Sequence, residues 1–277
     1  MPNRHLKSAA LATLLLLLFL SIPNMSAKLR NRISHPQDSS PSGDRILIAH
    51  GGRLVMIERE SKKVLWRTAE LKGAQSVAAL PNGEFLVGER NSIARISGDG
   101  KLLSRNPISF NLISDIKSLD NERMLVSDGP EKAVVEIDWA GNLFWSVSNL
   151  HFPQEAVRLE NGNTLVADGT AALKEFDSRG TLIRSILLKQ WAASVQSLPD
   201  GNILVGGREF VALLDAKGQT TWSIPVPSRA TCVQQVSPDE YLICEPDAKR
   251  VVISDKNGTV KWELADLSYP WHAIYLR

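Results

Sequence analysis

Little in this chain looks like a catalytic motif. Its 277 residues hold no Gly-x-Ser-x-Gly elbow, no His-Glu-x-x-His, no phosphate-binding Walker loop, no Gly-x-Gly-x-x-Gly and no Cys-x-x-Cys. The familiar hydrolase, zinc-protease, nucleotide-binding and thioredoxin-type chemistries therefore have no local signature here. Only two cysteines occur, Cys232 and Cys244, so neither a disulfide scaffold nor a Cys-rich metal cluster is available. Aromatic residues make up only 6% of the chain, yet seven of them are Trp. Net charge is also scarce: 32 basic residues stand against 30 acidic ones. The basic spots Lys62-Lys63 and Lys249-Arg250 read as solvated turns, so no nucleic-acid partner is expected.

The one long apolar run is at the start. Arg4 and Lys7 precede an apolar stretch from Ala9 to Ile22, and residues 1–27 hold no acid. A charged start and a short apolar core predict an export signal, either cleaved or kept as an N-terminal anchor. Any membrane contact is expected through this segment alone. No Cys follows it, which excludes a lipoprotein anchor. Residues 28–42, rich in Ser, Pro, Asn and Arg, read as a flexible leader. Without Arg4 and Lys7 the chain has 30 basic residues against 30 acidic ones. The expectation is a neutral, exported monomer, periplasmic or extracellular.

What the chain has in abundance is repetition. Leu80-Pro-Asn-Gly-Glu-Phe-Leu86-Val recurs as Leu119 to Val126, Leu159 to Val166, Leu198 to Val205 and Val236 to Ile243. The anchors fall at 86, 125, 165, 204 and 242, in steps of 39, 40, 39 and 38. A strand-rich period near 40 predicts a β-propeller. Ile46-Leu47-Ile48 holds the same slot without a leading strand, and Pro270 to Leu276 supplies that strand from the other end. The fold expected over 43–277 is thus all-β, a six-bladed propeller closed by pairing of the C-terminal strand with the first blade.

Two kinds of punctuation divide each repeat. Asn-Gly or Asp-Gly pairs turn the first strand into the second. Asp-x-x-Gly at 138, 177, 215 and 255, with Ser97-Gly-Asp-Gly as a weaker copy, turns the third into the fourth. Four residues beyond the Gly stand Trp145, Trp222 and Trp262. Trp66 holds the matching slot of the first blade, and Ser104 and Arg184 fill it in the other two. A large ring repeating on outer strands predicts packing between blades.

The Asp-x-x-Gly-x-x-x-Trp copies and the run Ile57 to Arg67 resemble the repeat of pyrroloquinoline-quinone-like propellers. That repeat occurs in quinoprotein dehydrogenases and in the propeller lipoprotein of outer-membrane assembly. Asn161-Gly-Asn-Thr-Leu-Val-Ala-Asp168 is also similar to arylsulfotransferase-type and NHL-type repeats. These resemblances imply fold and export and no particular cofactor. Quinone-binding members have eight blades, so with six no quinone is expected. Arylsulfotransferase-type propellers use a His nucleophile with further His and Arg, a set that His272 with Arg208 or Arg90 could imitate in part.

Residues that break the repeat are the informative ones. Four places before Leu80, Leu119, Leu159, Leu198, Val236 and Leu276 come Ser76, Asp115, Glu155, Ser194, Cys232 and His272, expected to line the channel mouth. At the second-strand ends come His50, Glu89, Asp128, Asp168, Gly207 and Glu245, beside Arg90 and Arg208. The acids of this second series occupy one repeating slot and are expected to cap loop backbone in the next blade. Asp115 and Glu155 are the candidates for a cation or polar ligand, with His272, Arg90 and Arg208 completing the site. Cys232 and Cys244 lie on consecutive strands, one place off in an ideal hairpin, so either a disulfide or two buried thiols fits. The leading expectation is a non-catalytic propeller presenting one face to a protein or small ligand. The alternative is a transferase, hydrolase or lyase working at the channel mouth, with His272 as its catalytic residue.

Overall fold

The computed structural model describes residues 43–277 apart from 69 and 121. The expected signal or anchor (1–27) and the leader (28–42) lie outside the described residues. Six small antiparallel sheets follow one another along the chain. Blade 1 holds β1 (Arg45–His50), β2 (Arg53–Glu58) and β3 (Val64–Arg67); blade 2 holds β4 (Ser76–Ala79), β5 (Phe85–Gly88), β6 (Ile93–Ile96) and β7 (Leu102–Arg105). Blade 3 comprises β8 (Ile113–Ser118), β9 (Arg123–Asp128), β10 (Ala133–Asp138) and β11 (Leu143–Val147). In blade 4 come β12 (Glu155–Arg158), β13 (Thr164–Thr170), β14 (Ala172–Phe176) and β15 (Leu182–Leu187). Blade 5 has β16 (Ala192–Ser197), β17 (Ile203–Leu214) and β18 (Thr220–Arg229). Blade 6 has β19 (Cys232–Ser237), β20 (Glu240–Glu245), β21 (Arg250–Asp255) and β22 (Val260–Leu264), and the chain ends in β23 (Pro270–Leu276).

The closure expected from the missing leader strand is present. β23 lies innermost in the first sheet, in the order β23-β1-β2-β3, pairing antiparallel with β1 from Arg45 opposite Leu276 to His50 opposite Pro270. Blade 5 departs from the four-strand pattern. Its long β17 bends at Glu209, whose φ of 65° is left-handed, so one half pairs with β16 and the other with β18.

The Asn-Gly turns demand less of the backbone than the sequence suggested. Only the Gly takes a positive φ, 83° at Gly83 and 84° at Gly162, and its N–H donates to the carbonyl three residues back. That is a type I turn with a Gly bulge, which adds a residue to the loop.

Single sheets of four strands cannot bury their own faces, and the core is correspondingly divided into six clusters, one at each junction between neighbouring blades. The Trp slot bolts these junctions. The indole N–H of Trp66 donates to Gly98 O at 3.0 Å, Trp145 to Asp177 O at 3.0 Å, Trp222 to Lys256 O at 2.7 Å and Trp262 to Arg59 O at 2.7 Å. Each acceptor lies in the next blade's third-to-fourth strand turn. Where Arg184 replaces Trp, its guanidinium donates to Ala216 O at 2.9 Å, the equivalent turn. Blade 2 has Ser104 in the slot, and Asn106 makes the connection instead, donating to Trp139 O at 2.6 Å.

Candidate functional site

The inner strands β4, β8, β12, β16, β19 and β23 stand around the axis, and one residue at or near the start of each forms a column of six. Ser76, Asp115, Glu155, Ser194, Cys232 and His272 are each no more than 5% exposed. In blades 4 to 6 this column ties one inner strand to the next. Glu155 Oε2 accepts from Val195 N at 3.2 Å, Ser194 Oγ accepts from Val233 N at 3.0 Å, and Cys232 Sγ donates to Ala273 O at 3.2 Å. In blades 1 to 3 those ties are missing. Both ring nitrogens of His272, Ser76 Oγ and Asp115 Oδ1 are buried without a hydrogen-bond partner among the described residues.

These groups converge across the axis. His272 Nε2 is 3.6 Å from Asp115 Oδ1, too far for a hydrogen bond. One ligand atom each from Asp115, Glu155 and His272 lie within 4.8 Å of one another. Lys117 joins them from below: its Nζ contacts Glu155 Oε1 and lies 3.7 Å from Asp115 Oδ2. Lys117 is two residues beyond Asp115 on β8, hence on the same side of the strand. Its stem remains 26% exposed toward a groove on the opposite face, which it lines with Asp120 and Glu136.

Charge in so dry a place is costly. Burial, with the Glu155 carboxylate beside it, overcomes the pull of Lys117 and His272 and pushes the Asp115 pKa up to about 7. Burial also opposes the charged form of Lys117, but the two carboxylates outweigh it and hold the ammonium above its ordinary range. For His272 burial lowers the pKa, yet Cys232 and Asp115 leave it raised.

Above this floor opens a cavity of 290 Å³. Asp115, Glu155 and His272 all line it, with Trp191, Trp271 and Phe152 among its walls. Arg229 stands at its rim, pinned by Asp247 at 2.7 and 2.8 Å and lying over the Trp271 ring at 5.6 Å.

Two expected members are not brought in. Arg90 and Arg208 are exposed and line no part of this cavity. Both follow the last inward residue of a second strand, where the chain is already turning away from the axis. Arg208 pairs instead with Arg229, and Arg229, at the end of β18, is the arginine that reaches the mouth. Sequence reasoning missed Arg229 and Trp191, which lie outside any repeated slot, Arg229 at the end of the long β18 and Trp191 just before β16. Lys117 had a signal: the equivalent positions are Ala78, Val157, Gln196, Gln234 and Ile274, so a charge breaks that column too.

The repeating acids also need correction. Glu89 accepts from Lys72 N, Asp128 from Asn111 N and Leu112 N, and Asp168 from His151 N. They cap the loop leading into their own blade, not the next one, because in an antiparallel pair the end of the second strand lies beside the start of the first. The cysteines meet as well. A register shift between Gln235 and Ser237 sets Cys232 directly opposite Cys244, and both are buried free thiols.

No family profile matches the sequence, and no curated protein is similar to it. Solved structures are similar in fold. A protein of unknown function from Bacteroides caccae superposes with a TM-score of 0.72 at 19% identity, covering 85% of this chain and 100% of that one. A chain of the nidogen/laminin complex gives 0.71 at 12% identity, covering 84% and 98%. The WD40 β-propeller domain of Doa1 gives 0.62 at 14%, covering 83% and 82%. At these identities the likeness shows the fold alone. The chain is a six-bladed β-propeller.

Proposed function

We propose that this propeller is an exported, non-catalytic binding module that takes a small polar ligand at its channel mouth. The observation that supports the reading is a set of unpartnered polar atoms, Asp115 Oδ1 and the two His272 nitrogens, at the floor of an aromatic-walled cavity. A buried polar atom without a partner costs about 1–3 kcal/mol, which a ligand that satisfies it recovers. At roughly 30 Å³ per water, the cavity has room for about ten waters or one small metabolite. Trp191 and Trp271 offer flat faces for the ligand's less polar side, and its hydroxyl or amine groups meet the floor.

The arylsulfotransferase-like alternative draws less support, since it asks for Arg90 or Arg208 beside His272 and neither lines the cavity. The reading is tested on the full chain by a thermal-shift screen against sugars, amino acids and small amines. A stabilising compound should lose its effect in Trp191→Ala, whose own melting point stays close to wild type. A screen in which nothing stabilises the protein, or a shift that survives Trp191→Ala, overturns it.

A further inference from the structure

The floor of the cavity has a second property, which rests on the same reading of the mouth as the working face but concerns a different ligand. Asp115 Oδ1 and His272 Nε2 face each other across 3.6 Å without bonding. That gap is too wide for a hydrogen bond. It is close to the spacing of two donors on one metal, since atoms each ~2.1 Å from an ion at a tetrahedral angle stand about 3.4 Å apart. Glu155 supplies the third donor within 4.8 Å, and its carboxylate is held in place by Val195 N, which donates to Oε2. All three residues are more than nine-tenths buried. The cavity above connects them to solvent.

We propose that Asp115, Glu155 and His272 form a binding site for a first-row transition-metal dication, with Lys117 as the tethered cation that holds its place. The charge count favours an exchange. In the protonation state that ligates a metal, with both carboxylates ionised and the imidazole neutral, the site with the Lys117 ammonium carries one net negative charge. With a dication in place of the ammonium the same carboxylates are neutralised. Lys117 has somewhere to go, because its side chain borders the opposite groove, where the ammonium can share Asp120 and Glu136 with Arg123 and Arg158, which already pair with them. The donor set selects the ion. One imidazole nitrogen with two carboxylate oxygens suits manganese, iron, cobalt or zinc, whereas calcium asks for six to eight oxygens. Ser76, on the blade between His272 and Asp115, also has an unpartnered hydroxyl.

The test uses the full chain, stripped with chelator and dialysed against manganese or zinc, with calcium as the contrast. Elemental analysis should give one manganese or zinc per chain and no retained calcium, and spin-echo spectra of the manganese form should show coupling to one imidazole nitrogen. Asp115→Asn and His272→Gln should each weaken binding at least tenfold, the scale on which even outer partners of a metal act. Lys117→Met should strengthen it at least tenfold by removing the competitor, and this variant keeps every donor. Lack of stoichiometric metal in the wild-type chain overturns the proposal, as does binding without imidazole coupling or affinity unchanged by Lys117→Met. Metal uptake is measured without any organic ligand, so its failure leaves the small-ligand reading standing, and a failed ligand screen leaves this one standing.

Discussion

Two sets of acidic and imidazole side chains lie within one residue of each other along the strands, equally buried, and they live in opposite electrostatic circumstances. Glu89, Asp128, Asp168 and Glu245, at the second-strand ends, are no more than 4% exposed; Asp115, Glu155 and His272, on the inner strands, no more than 5%. In the first set every member has partners. Glu89 takes Lys72 N, the Ser92 hydroxyl and the Arg105 guanidinium; Asp168 takes His151 N and Lys174; Glu245 takes Arg250. In the second set Asp115 Oδ1 and both nitrogens of His272 have none among the described residues. Burial therefore does not separate architecture from site in this ring; satisfaction does. The repeated acids have their hydrogen bonds built in with the repeat, whereas among the singular residues of the inner column Glu155, Ser194 and Cys232 are bonded and Asp115 Oδ1, His272 and Ser76 are not.

The largest effect expected from the architectural side is at the blade junctions. Trp145 is 7% exposed, bonded to the next blade's turn, and covered by the Arg158 guanidinium at 5.2 Å. Trp145→Ala should cost about 3–5 kcal/mol, as large buried aromatics do. Trp66 makes the same bond from a half-buried position, and its loss should cost less. Denaturant unfolding of both variants measures this. A Trp145→Ala loss below ~1 kcal/mol would show that the junctions are held elsewhere.

A smaller loss is expected at a repeated acid. Glu89→Gln keeps the shape but removes the charge that Arg105 and the Lys72 amide share, at a cost of about 2–3 kcal/mol, below the full value for breaking a buried pair because Arg105 is partly exposed. The pH dependence has a definite sign. Burial alone would raise the Glu89 pKa, but the bonds from Arg105, Ser92 and Lys72 N outweigh it and lower the pKa. A depressed carboxylate contributes stability above its unfolded pKa and loses it as pH falls through the folded value. Hydrogen exchange at the Lys72 amide should therefore stay slow through pH 5 and quicken only below the ordinary glutamate range. Quickening already at pH 6 contradicts the pairing.

These contrasts also explain what could be read from the sequence. The blades, the closing strand and the Trp slot were legible because each is written several times, and period and turn chemistry need no knowledge of what touches what. The column holding Asp115, Glu155 and His272 was legible for the same reason, by counting back from the anchors. Arg229 and Trp191 were not, because they sit where the chain leaves the repeat and only the bend of β17 and the length of β18 decide what they reach. Sequence adjacency alone points Arg90 and Arg208 to this face, and it says nothing about direction where a strand has ended, as at Arg90, or bends, as at Arg208. The loop that each repeated acid caps was misassigned because strand pairing, not chain order, sets proximity.

The smallest effect is the most discriminating. Asp115→Asn removes a charge whose burial is poorly compensated, a gain, and leaves an amide that itself lacks partners, a cost of about 1–3 kcal/mol. The two nearly cancel, so the metal-free variant at pH 7 should lie within about 1 kcal/mol of wild type. The sign drifts with pH. A carboxylate whose folded pKa is raised to about 7 binds a proton more readily in the folded protein than in the unfolded chain, so wild-type stability falls as pH rises from about 4 toward 7 and then levels off. Asn carries no such dependence, and the variant should gain on wild type between pH 5 and pH 8. Parallel unfolding curves in chelator at those two pH values measure the drift. A loss of more than ~3 kcal/mol at pH 7, like that of a paired buried acid, would place Asp115 with Glu89 among the architectural residues and erase the distinction between the two sets.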